Sequence, residues 1–456
     1  MNSLRVLRPD SLAQASQWML AQQIDGAQPR WLAGGQSLLA AMKLGMSAPS
    51  VLLDMQSITS LREIRIVDDA TLLTGAMASH ARMADSSVIQ GFCAGLANLA
   101  GGIADTQVRN MGTLGGSLAN NDPAACWPTA VLACNAKVLT AQRAIAADDF
   151  FAGLYTTALQ PGELLITVRW PKPLAFHYLK FEQPASRFAL TGVAVARFAD
   201  GVRVAMTGLG HGVVRWPAAE QALSAHWSVH ALDGLTFPAD QASSDLHASA
   251  AYRAHLAGVL TRRAVAALTG EPSAAPVRTA VPVPAEANDG GFGGSQLLAA
   301  DGATVWQALL DPVVLQRCIP GCESLTLLGE LRYQAQVRVG LGPVSARFAS
   351  TVSLQDLRAP RSLALRFEGS AGALGGGRGT AQVTLRPEAS GTRLDWRAQV
   401  QTSGRIAQFG NRLLEATSRK LSEEFFAALT RCLDGTAAPL PWWRRAWKQL
   451  MNLIAH

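Results

Sequence analysis

A stretch without any hydrophobic periodicity divides this chain into two parts. Residues 271–290 read EPSAAPVRTAVPVPAEANDG and are rich in proline, alanine and small polar residues. This composition is typical of a semi-extended linker. Because 456 residues are too many for one ordinary hydrophobic core, we expect two or three domains, with this linker as the main boundary.

Composition narrows the class of protein. Apolar residues make up 49% of the chain and charged residues 16%, which is typical of a folded globular protein. The formal net charge is +7, but the basic residues are scattered, so we predict no nucleic-acid partner. No segment approaches the roughly 18 apolar residues of a membrane-spanning helix. The six cysteines form no CxxC pair and no cluster-binding spacing, so we expect free thiols and a cytoplasmic location.

The part before the linker alternates short strands with helices. RWLAGG predicts a strand that enters a glycine turn, and SLLAAMKLGM predicts the helix after it. From about Phe176 the pattern becomes rich in strands, and a helix follows at AYRAHLAGVLTRRAVAALTG. This order predicts an α+β fold rather than a regular doubly wound sheet.

The part after the linker, residues 291–435, predicts a sheet and one long helix. A first strand is followed by a short helix with Asp301 as its N-cap, and then by a run of alternating strands. A curved antiparallel sheet around one helix leaves a cavity, so we expect a small-ligand pocket. The final helix has apolar residues mostly three or four apart: Ile406, Phe409, Leu413, Leu414, Leu421, Phe425 and Leu429.

Two glycine-rich loops in the first part carry the main functional signal. They are AGGQSLL at Ala33–Leu39 and GTLGGSLANND at Gly112–Asp122. Glycines let successive backbone N–H groups converge and let an anionic ligand approach the main chain, so a phosphate or pyrophosphate is the expected guest. The other interpretation is that the glycines only turn the chain. Asp122 has two interpretations as well: it accepts hydrogen bonds from ligand hydroxyls, or it is a helix N-cap before Pro123.

Four segments resemble, in order, the FAD-binding subunit of molybdenum hydroxylases, the family of xanthine dehydrogenase and aerobic carbon monoxide dehydrogenase. They are AGGQSLLAAMKL, QVRNMGTLGGSLANNDPAA, GELLITVRWP and YLKFEQPASRFALTGVAVA. The resemblance implies a two-lobed FAD-binding domain of the vanillyl-alcohol oxidase or PCMH type at residues 1–173, with lobes at about 1–56 and 57–173. It also implies a small α/β domain at 174–270.

The resemblance further implies which residues bind FAD. Ile103 lies near the flavin ring, Leu165 contacts the ring through its backbone, and Lys180 lies near the isoalloxazine, where a cation stabilises the anionic reduced flavin. Cys126 stands where many members carry an acid, which leaves Asp122 as the ribityl or ribose contact or leaves that contact absent. The two loops supply the other predicted contacts: Ala33, Gly34, Gly35, Gln36, Ser37 and Leu38 around the pyrophosphate, and Thr113, Gly116 and Asn120 from the second loop.

The second part is similar to the G subunit of carbon monoxide dehydrogenase, which belongs to the START-like, helix-grip group. LLDPVVLQRCIPGCESL, GRGTAQVTL and the long final helix carry this resemblance. Cys318 and Cys322 are four residues apart without a histidine or third cysteine nearby, which favours a packed turn over a metal site. The glycine-rich segment 372–379 could indicate phosphate binding, but in a strand-rich domain it favours a flexible hairpin loop that forms a lid over the cavity.

The tail, residues 436–456, is rich in tryptophan and in basic residues. On a helix, Trp443, Trp447, Leu450 and Ile454 would share one face, with basic residues beside or opposite them. This pattern is typical of an interfacial membrane helix. The other interpretation is a helix docked on its own domain or on a partner subunit.

These observations predict an FAD-binding electron-transfer subunit of a molybdenum hydroxylase complex. The resemblance implies a molybdopterin-containing large subunit that oxidises the substrate and a [2Fe–2S] small subunit that delivers electrons to FAD. A quinone is a plausible acceptor, and the second part and tail would bring the chain to the inner face of the cytoplasmic membrane or hold a lipophilic ligand. We predict no catalytic or metal-ligating residue in this chain. Two alternatives stand: a self-contained FAD oxidase or reductase, and a non-catalytic lipid-binding recruitment protein.

Overall fold

The computed structural model divides into two compact units. The first holds the described residues up to residue 272, and the second holds most of those from Gly291 onward. Most of the proposed linker and the tail lie outside the described residues. Across the described part, no helix combines the length and the apolar character needed to cross a bilayer. The described ranges are 4–25, 27–184, 186–210, 212–245, 247–272, 291–329, 331–341, 344–372, 375–388, 390–403 and 410–434.

A small parallel sheet begins the first unit. The third strand lies between the other two, and the buried side chains of Ala15 and Met19 from the first helix pack against Val51 and Leu53 of that central strand. The elements are β1 (Arg5–Leu7), α1 (Leu12–Ile24), β2 (Pro29–Leu32), α2 (Leu38–Lys43) and β3 (Val51–Asp54), followed by short 3₁₀ helices at Met55–Ser57 and Thr59–Arg62.

A five-stranded antiparallel sheet follows, and most of the helices that accompany it come, in sequence, between its second strand and its third strand. These strands are β4 (Ile64–Asp68), β5 (Thr71–Gly75), β6 (Lys137–Thr140), β7 (Ala144–Ala146) and β10 (Leu165–Pro171), in the order β4-β5-β10-β6-β7, with a separate hairpin of β8 (Phe151–Gly153) and β9 (Thr156–Thr157). The helices are α3 (His80–Asp85), α4 (Ser87–Gly101), α5 (Thr106–Met111), α6 (Leu114–Asn120), α7 (Cys126–Ala133) and α8 (Ala147–Phe150). Trp127 of α7 and Trp170 of β10 are fully buried, with ring centroids 6.1 Å apart.

A four-stranded antiparallel sheet completes the first unit. Its second strand is buried on both faces because α7 covers one side and α10 the other, which explains its nearly continuous apolar run. Arg253 of α10 is fully buried, and its guanidinium donates to Asp245 Oδ2 at 2.7 Å and to the Gly208 carbonyl oxygen at 2.7 Å. The elements are β11 (Ala175–Glu182), β12 (Ala189–Phe198), β13 (Gly201–Thr207), β14 (Val214–Arg215), α9 (Pro217–Ala225), 3₁₀ turns at Val229–Leu232 and Ala239–Gln241, and α10 (Ala250–Thr269).

The second unit is a seven-stranded antiparallel sheet with helices. Its elements are β15 (Gly291–Leu298), α11 (Gly302–Leu310), α12 (Pro312–Cys318), β16 (Cys322–Gly329), β17 (Arg332–Leu341), β18 (Val344–Arg358), β19 (Ser362–Ser370), β20 (Gly376–Glu388), β21 (Gly391–Ser403) and α13 (Gly410–Leu433), with strand order β15-β21-β20-β19-β18-β17-β16. Leu429 of α13 is fully buried in the same core as Leu298 and Val305. The two units together give the mixed α and β architecture that the sequence predicts, whereas the helix-grip classification stays a prediction.

Two local predictions for the second unit are confirmed. Asp301 caps α11, because its Oδ1 accepts from the N–H groups of Ala303 and Thr304 at 2.9 and 3.0 Å. β19 and β20 form the predicted hairpin, with Ser370 opposite Gly376, although residues 376–379 of the glycine-rich segment belong to β20 rather than to the loop. Two residues of that hairpin, 373 and 374, and two apolar positions of the final helix, Ile406 and Phe409, lie outside the described residues.

Candidate cofactor site

The two glycine loops lie in direct contact. A β-carbon at Gly34 would stand 2.0 Å from the carbonyl oxygen of Met111 and 2.9 Å from the Cα of Gly112. A β-carbon at Gly116 would stand 3.4 Å from the β-carbon of Ala33. Any side chain at Gly34 would therefore displace the backbone, and the loops can meet in this way only because glycine stands there.

The first loop is a tight turn between β2 and α2. Gly35 adopts φ +71°, a left-handed conformation that favours glycine. Gln36 and Ser37 are exposed, while Ala33 and Leu38 are half-buried. Among the first N–H groups of α2, that of Leu39 donates to the Gly35 carbonyl oxygen at 3.0 Å, and the side chain of Ser37 caps none of the others. The turn thus leaves backbone donors for an anionic ligand.

The second loop is held in place from within. Thr113 is 4% exposed and caps α6, because its hydroxyl oxygen accepts from the Gly116 N–H at 3.1 Å. The Gly115 N–H donates to the carbonyl oxygen of Ala76 at 2.8 Å, and a β-carbon at Gly115 would stand 2.6 Å from the β-carbon of Ala76. Asn120, half-buried, is the last residue of α6. The second loop is therefore fixed against Ala76, which lies between the end of β5 and the start of α3.

Asn121 is a residue of this loop that the sequence reasoning did not select. It ends α6 with φ 44°, and its side-chain amide donates to the carbonyl oxygens of Gly153 and Thr156, both at 2.8 Å. Its Oδ1 is buried and has no hydrogen-bond partner within the described residues. An asparagine at a helix C-terminus is the sequence signal that could have identified this left-handed position.

Asp122 already has two partners from the protein. One carboxylate oxygen accepts from the Ala124 N–H at 2.8 Å, and the other accepts from the Tyr155 hydroxyl at 3.0 Å. The N-cap interpretation is wrong: α7 begins at Cys126 with Ala125 as its N-cap, because Asp122 closes a separate turn before the helix. Its contact with a ligand hydroxyl stays a prediction.

Lys180 of β11 lies near Cys126, which follows the second loop. Its side chain is 7% exposed, and Nζ lies 2.8 Å from the carbonyl oxygen of Arg187 and 3.3 Å from Oε1 of Glu182. Burial raises the pKa of the Cys126 thiol, and the positive charge of Lys180 offsets part of that rise. The structure thus brings the predicted flavin lysine beside the segment that follows the second loop, although the two are far apart in sequence.

Tyr178 adds a second buried polar atom beside Cys126. Its hydroxyl has no hydrogen bond of normal geometry in the described part of the chain. Burial, and then the neighbouring Cys126, raises the pKa of Tyr178 well above its ordinary value. On the adjacent strand, a β-carbon at Gly192 would stand 2.6 Å from this hydroxyl, so the ring requires the glycine there. No residue pattern in the sequence marks Tyr178.

Ile103 and the residue after Leu165 each accept a hydrogen bond from a residue near the second loop. Arg109, near the end of α5, donates to the carbonyl oxygens of Ile103 and Ala104 at 2.9 and 2.8 Å. Leu165 is 5% exposed, and the next residue, Ile166, accepts from the N–H of Ala76 at 2.8 Å. Ile166 therefore bonds to a residue that also holds Gly115 of the second loop, and Ile103 bonds to α5, which ends just before that loop.

His80 joins the second loop to the core, and no sequence signal marks it. Its backbone N–H donates to the Gly112 carbonyl oxygen at 2.9 Å, and its Nδ1 accepts from the Trp127 indole N–H at 3.1 Å. Burial, and then the charge of Arg109, lowers the pKa of His80 to about 4. The imidazole is therefore neutral at neutral pH, and the indole bond assigns its proton to Nε2. That nitrogen would stand 2.8 Å from a β-carbon at Gly112.

Together these residues fit the cofactor that the sequence predicts. The two loops in contact present backbone N–H groups, and Lys180 places a buried cation near Cys126, which follows the second loop. Asn121 Oδ1, a buried oxygen atom at the end of α6, lacks a protein partner in the region described, and the buried Tyr178 hydroxyl lies beside the Cys126 thiol. Across that same region no group of three or more His, Cys, Asp or Glu side chains could hold a metal ion.

Two family models match this chain. Residues 2–173 match the FAD binding domain in molybdopterin dehydrogenase. Residues 294–433 match CoxG, the G subunit of carbon monoxide dehydrogenase. The matches fall on either side of the proposed linker.

Known proteins resemble the chain over rather more than its first half. The caffeine dehydrogenase subunit beta of Pseudomonas sp. is 32% identical over 282 residues, which are 57% of this chain and 92% of that protein. The carbon monoxide dehydrogenase medium chain of Afipia carboxidovorans is 34% identical over 57% of this chain and 94% of its own length. The solved structure of carbon monoxide dehydrogenase from Hydrogenophaga pseudoflava matches with a TM-score of 0.53 and 31% identity, covering 59% of this chain and 98% of that one.

Proposed function

The chain belongs to the family of FAD-binding medium subunits of molybdenum hydroxylases, and we propose that it carries electrons from a [2Fe–2S] subunit to an external acceptor such as a quinone. It is an oxidoreductase subunit, and its cofactor is FAD. The observation that supports the proposed role best is the contact of Gly34 with Met111 and Gly112, which joins two glycine loops into one binding surface.

When bound, FAD supplies the redox chemistry, and the protein supplies binding and electrostatics. The first loop and the start of α2 would bind the pyrophosphate through backbone N–H groups. Thr113 and Asn120 would contact the part of FAD that lies against the second loop. Asp122 would accept a hydrogen bond from a ribityl or ribose hydroxyl of FAD. Lys180 would stabilise negative charge on the reduced ring.

We propose two partner subunits. One is a large subunit with the molybdopterin cofactor, and the other is a small subunit with [2Fe–2S] clusters. The relatives support this proposal because their names describe parts of assemblies: a subunit beta and a medium chain. In this proposal the substrate is selected outside this chain.

For the second unit we propose a helix-grip, START-like cavity for a lipophilic ligand, and recruitment to the inner face of the cytoplasmic membrane. The antiparallel sheet with the fully buried Leu429 of α13 in its core supports the cavity. The tryptophan and basic residues of the tail support the membrane contact. Deletion of residues 440–456 should abolish co-sedimentation with vesicles of anionic phospholipid, and unchanged binding would contradict the recruitment.

Co-purification tests the electron-transfer role. The full chain, tagged and expressed in its native host, should bring down a large molybdopterin subunit and a small [2Fe–2S] subunit, together with FAD that denaturation releases. A chain recovered alone that still turns over a substrate would instead be a self-contained oxidase or reductase. A colourless chain that gains no flavin absorbance on reconstitution would be a non-catalytic lipid-binding protein.

A further inference from the structure

Two free thiols of the second unit lie in contact. The sulfur atoms of Cys318, at the end of α12, and Cys432, in the last turn of α13, are 3.9 Å apart. Both cysteines are free, and Cys318 is 1% exposed whereas Cys432 is half-buried. Cys322 lies only four residues after Cys318, but its thiol donates to the carbonyl oxygen of Ser324 at 3.4 Å. The contact therefore joins α12 to α13 through two cysteines that are 114 residues apart in sequence.

The positions of the two thiols allow a bond to form. A disulfide needs the sulfur atoms to move from 3.9 Å to about 2.05 Å, a change that side-chain rotation and a small backbone shift can supply. Cys432 is the penultimate residue of α13, and helix ends adjust more readily than helix centres. Its partial exposure gives a small oxidant access to one sulfur of the pair.

We propose that Cys318 and Cys432 form a peroxide-responsive pair that closes a reversible disulfide between α12 and α13. Cys432 attacks hydrogen peroxide, the O–O bond breaks, one water leaves, and Cys432 becomes a sulfenic acid. The sulfur of Cys318 then attacks that of Cys432, the S–O bond breaks, and a second water leaves. The two thiols lose two electrons and two protons in total, and the peroxide is reduced to two waters. A dithiol reductant reverses the bond by thiol–disulfide exchange.

The surroundings of Cys318 make the second step slow near neutral pH. Burial, and then the nearby Cys432, raises the pKa of the Cys318 thiol to about 12, while the charges of Arg431 and Arg317 offset part of this rise. Because the thiolate is the nucleophile, and few Cys318 side chains are ionised near neutral pH, few molecules can complete the second step at any moment. The disulfide therefore forms slowly after Cys432 has been oxidised to the sulfenic acid.

The link would enclose most of the sheet. The chain between the two cysteines contains every strand from β16 to β21, so the disulfide restricts a long segment of the unfolded chain. Long enclosed loops give large stabilisation when the native geometry is unstrained. We expect the thermal midpoint of the second unit to rise by about 5 °C or more in the linked protein.

Peroxide titration of the full chain tests this proposal. After reaction, free thiols are blocked with N-ethylmaleimide, and unreduced peptides are mapped by mass spectrometry. We expect a peptide pair linked through Cys318 and Cys432, loss of the link with dithiothreitol, and the rise in thermal midpoint. Cys432→Ser, at a half-buried position, should abolish both effects, as should Cys318→Ala. Cys322→Ser is the matched control and should retain both.

Three results would overturn the proposal. One is oxidation of Cys432 to a sulfinic acid without any linked peptide. Another is a link that uses Cys322 in place of Cys318. The third is a linked wild-type protein whose thermal midpoint equals that of the reduced protein.

Discussion

Gly34 lies against the carbonyl oxygen of Met111, so closely that a β-carbon would stand 2.0 Å from that oxygen. The contact joins the turn after β2 to the residue before the second loop. Backbone therefore packs on backbone at the point where the cofactor loops meet, and neither side can yield by rotating a side chain. A substitution there must move one loop relative to the other.

Gly34→Ala should weaken FAD binding. Forced overpacking costs about 1–3 kcal/mol, so we expect FAD affinity to fall by about tenfold or more. Titration of the apoprotein with FAD, followed by flavin fluorescence, measures the change. Gly91→Ala is the matched control, because nothing lies within 4 Å of an added β-carbon at Gly91 in α4. Equal affinities in the two variants would contradict the close contact.

Asp122→Asn should weaken FAD binding more than Tyr155→Phe does. The asparagine removes the charge and replaces one acceptor oxygen with a donor group, whereas the phenylalanine removes only the bond to one carboxylate oxygen. Dissociation constants for FAD and urea unfolding curves should be measured for both variants. Matching losses of affinity in the two would show that Asp122 only holds the turn, with no ligand contact of its own.

His80 should make stability depend on pH between about 6.5 and 4. Its pKa in the fold is about 4, below its ordinary value of 6.5, so only the unfolded chain takes up this proton in that interval. The free energy of unfolding should therefore fall by about 3 kcal/mol as the pH drops from 6.5 to 4, and the contribution is complete above 6.5.

His80→Gln tests that dependence because glutamine does not titrate and its carbonyl can still accept from Trp127. Urea unfolding at several pH values should show the gap between wild type and variant narrowing as the pH falls through this interval. His230→Gln is the control, since that side chain is 79% exposed. Parallel curves for wild type and His80→Gln would refute the assignment.

Glu163→Gln should destabilise the first unit at neutral pH. The carboxylate is 3% exposed, and it accepts from Arg143 Nε at 2.9 Å and from the Thr140 hydroxyl at 2.8 Å. The hydrogen bond with Arg143 is the main cause that lowers the pKa of Glu163 to about 2. We expect a loss of about 2 kcal/mol at pH 7, because a charge-assisted bond is removed from a buried site.

The difference should vanish in acid. Because the pKa of Glu163 in the fold lies below its ordinary value of 4.5, its stabilisation is complete above 4.5 and is lost as the pH falls toward 2. Chemical unfolding of wild type and Glu163→Gln between pH 7 and 2.5 should converge. Glu63→Gln, at a side chain that is 62% exposed, should match wild type throughout. A gap that persists unchanged at low pH would count against the proposed role.

The order of the helices and strands and the positions of the main loops could be predicted from the sequence because they depend on local residue patterns. The Asp301 cap, the glycine turns and the hairpin between β19 and β20 each follow from the residues at that place. The family resemblance also rests on linear motifs. Asp122 shows the limit: its N-cap interpretation failed because the helix begins only at Cys126, and the contact of its carboxylate with Tyr155, 33 residues away, could not be read from a local pattern.

Sequence by itself determined the two-part organisation, the two glycine loops and the FAD family to which the chain belongs. Only the tertiary structure decided that Gly34 lies on Met111, that neutral His80 holds the second loop to Trp127, and that Cys318 lies beside Cys432. These pairs are separated by dozens of residues or more. Their contacts depend on how sheets and helices pack, and no local pattern encodes that packing.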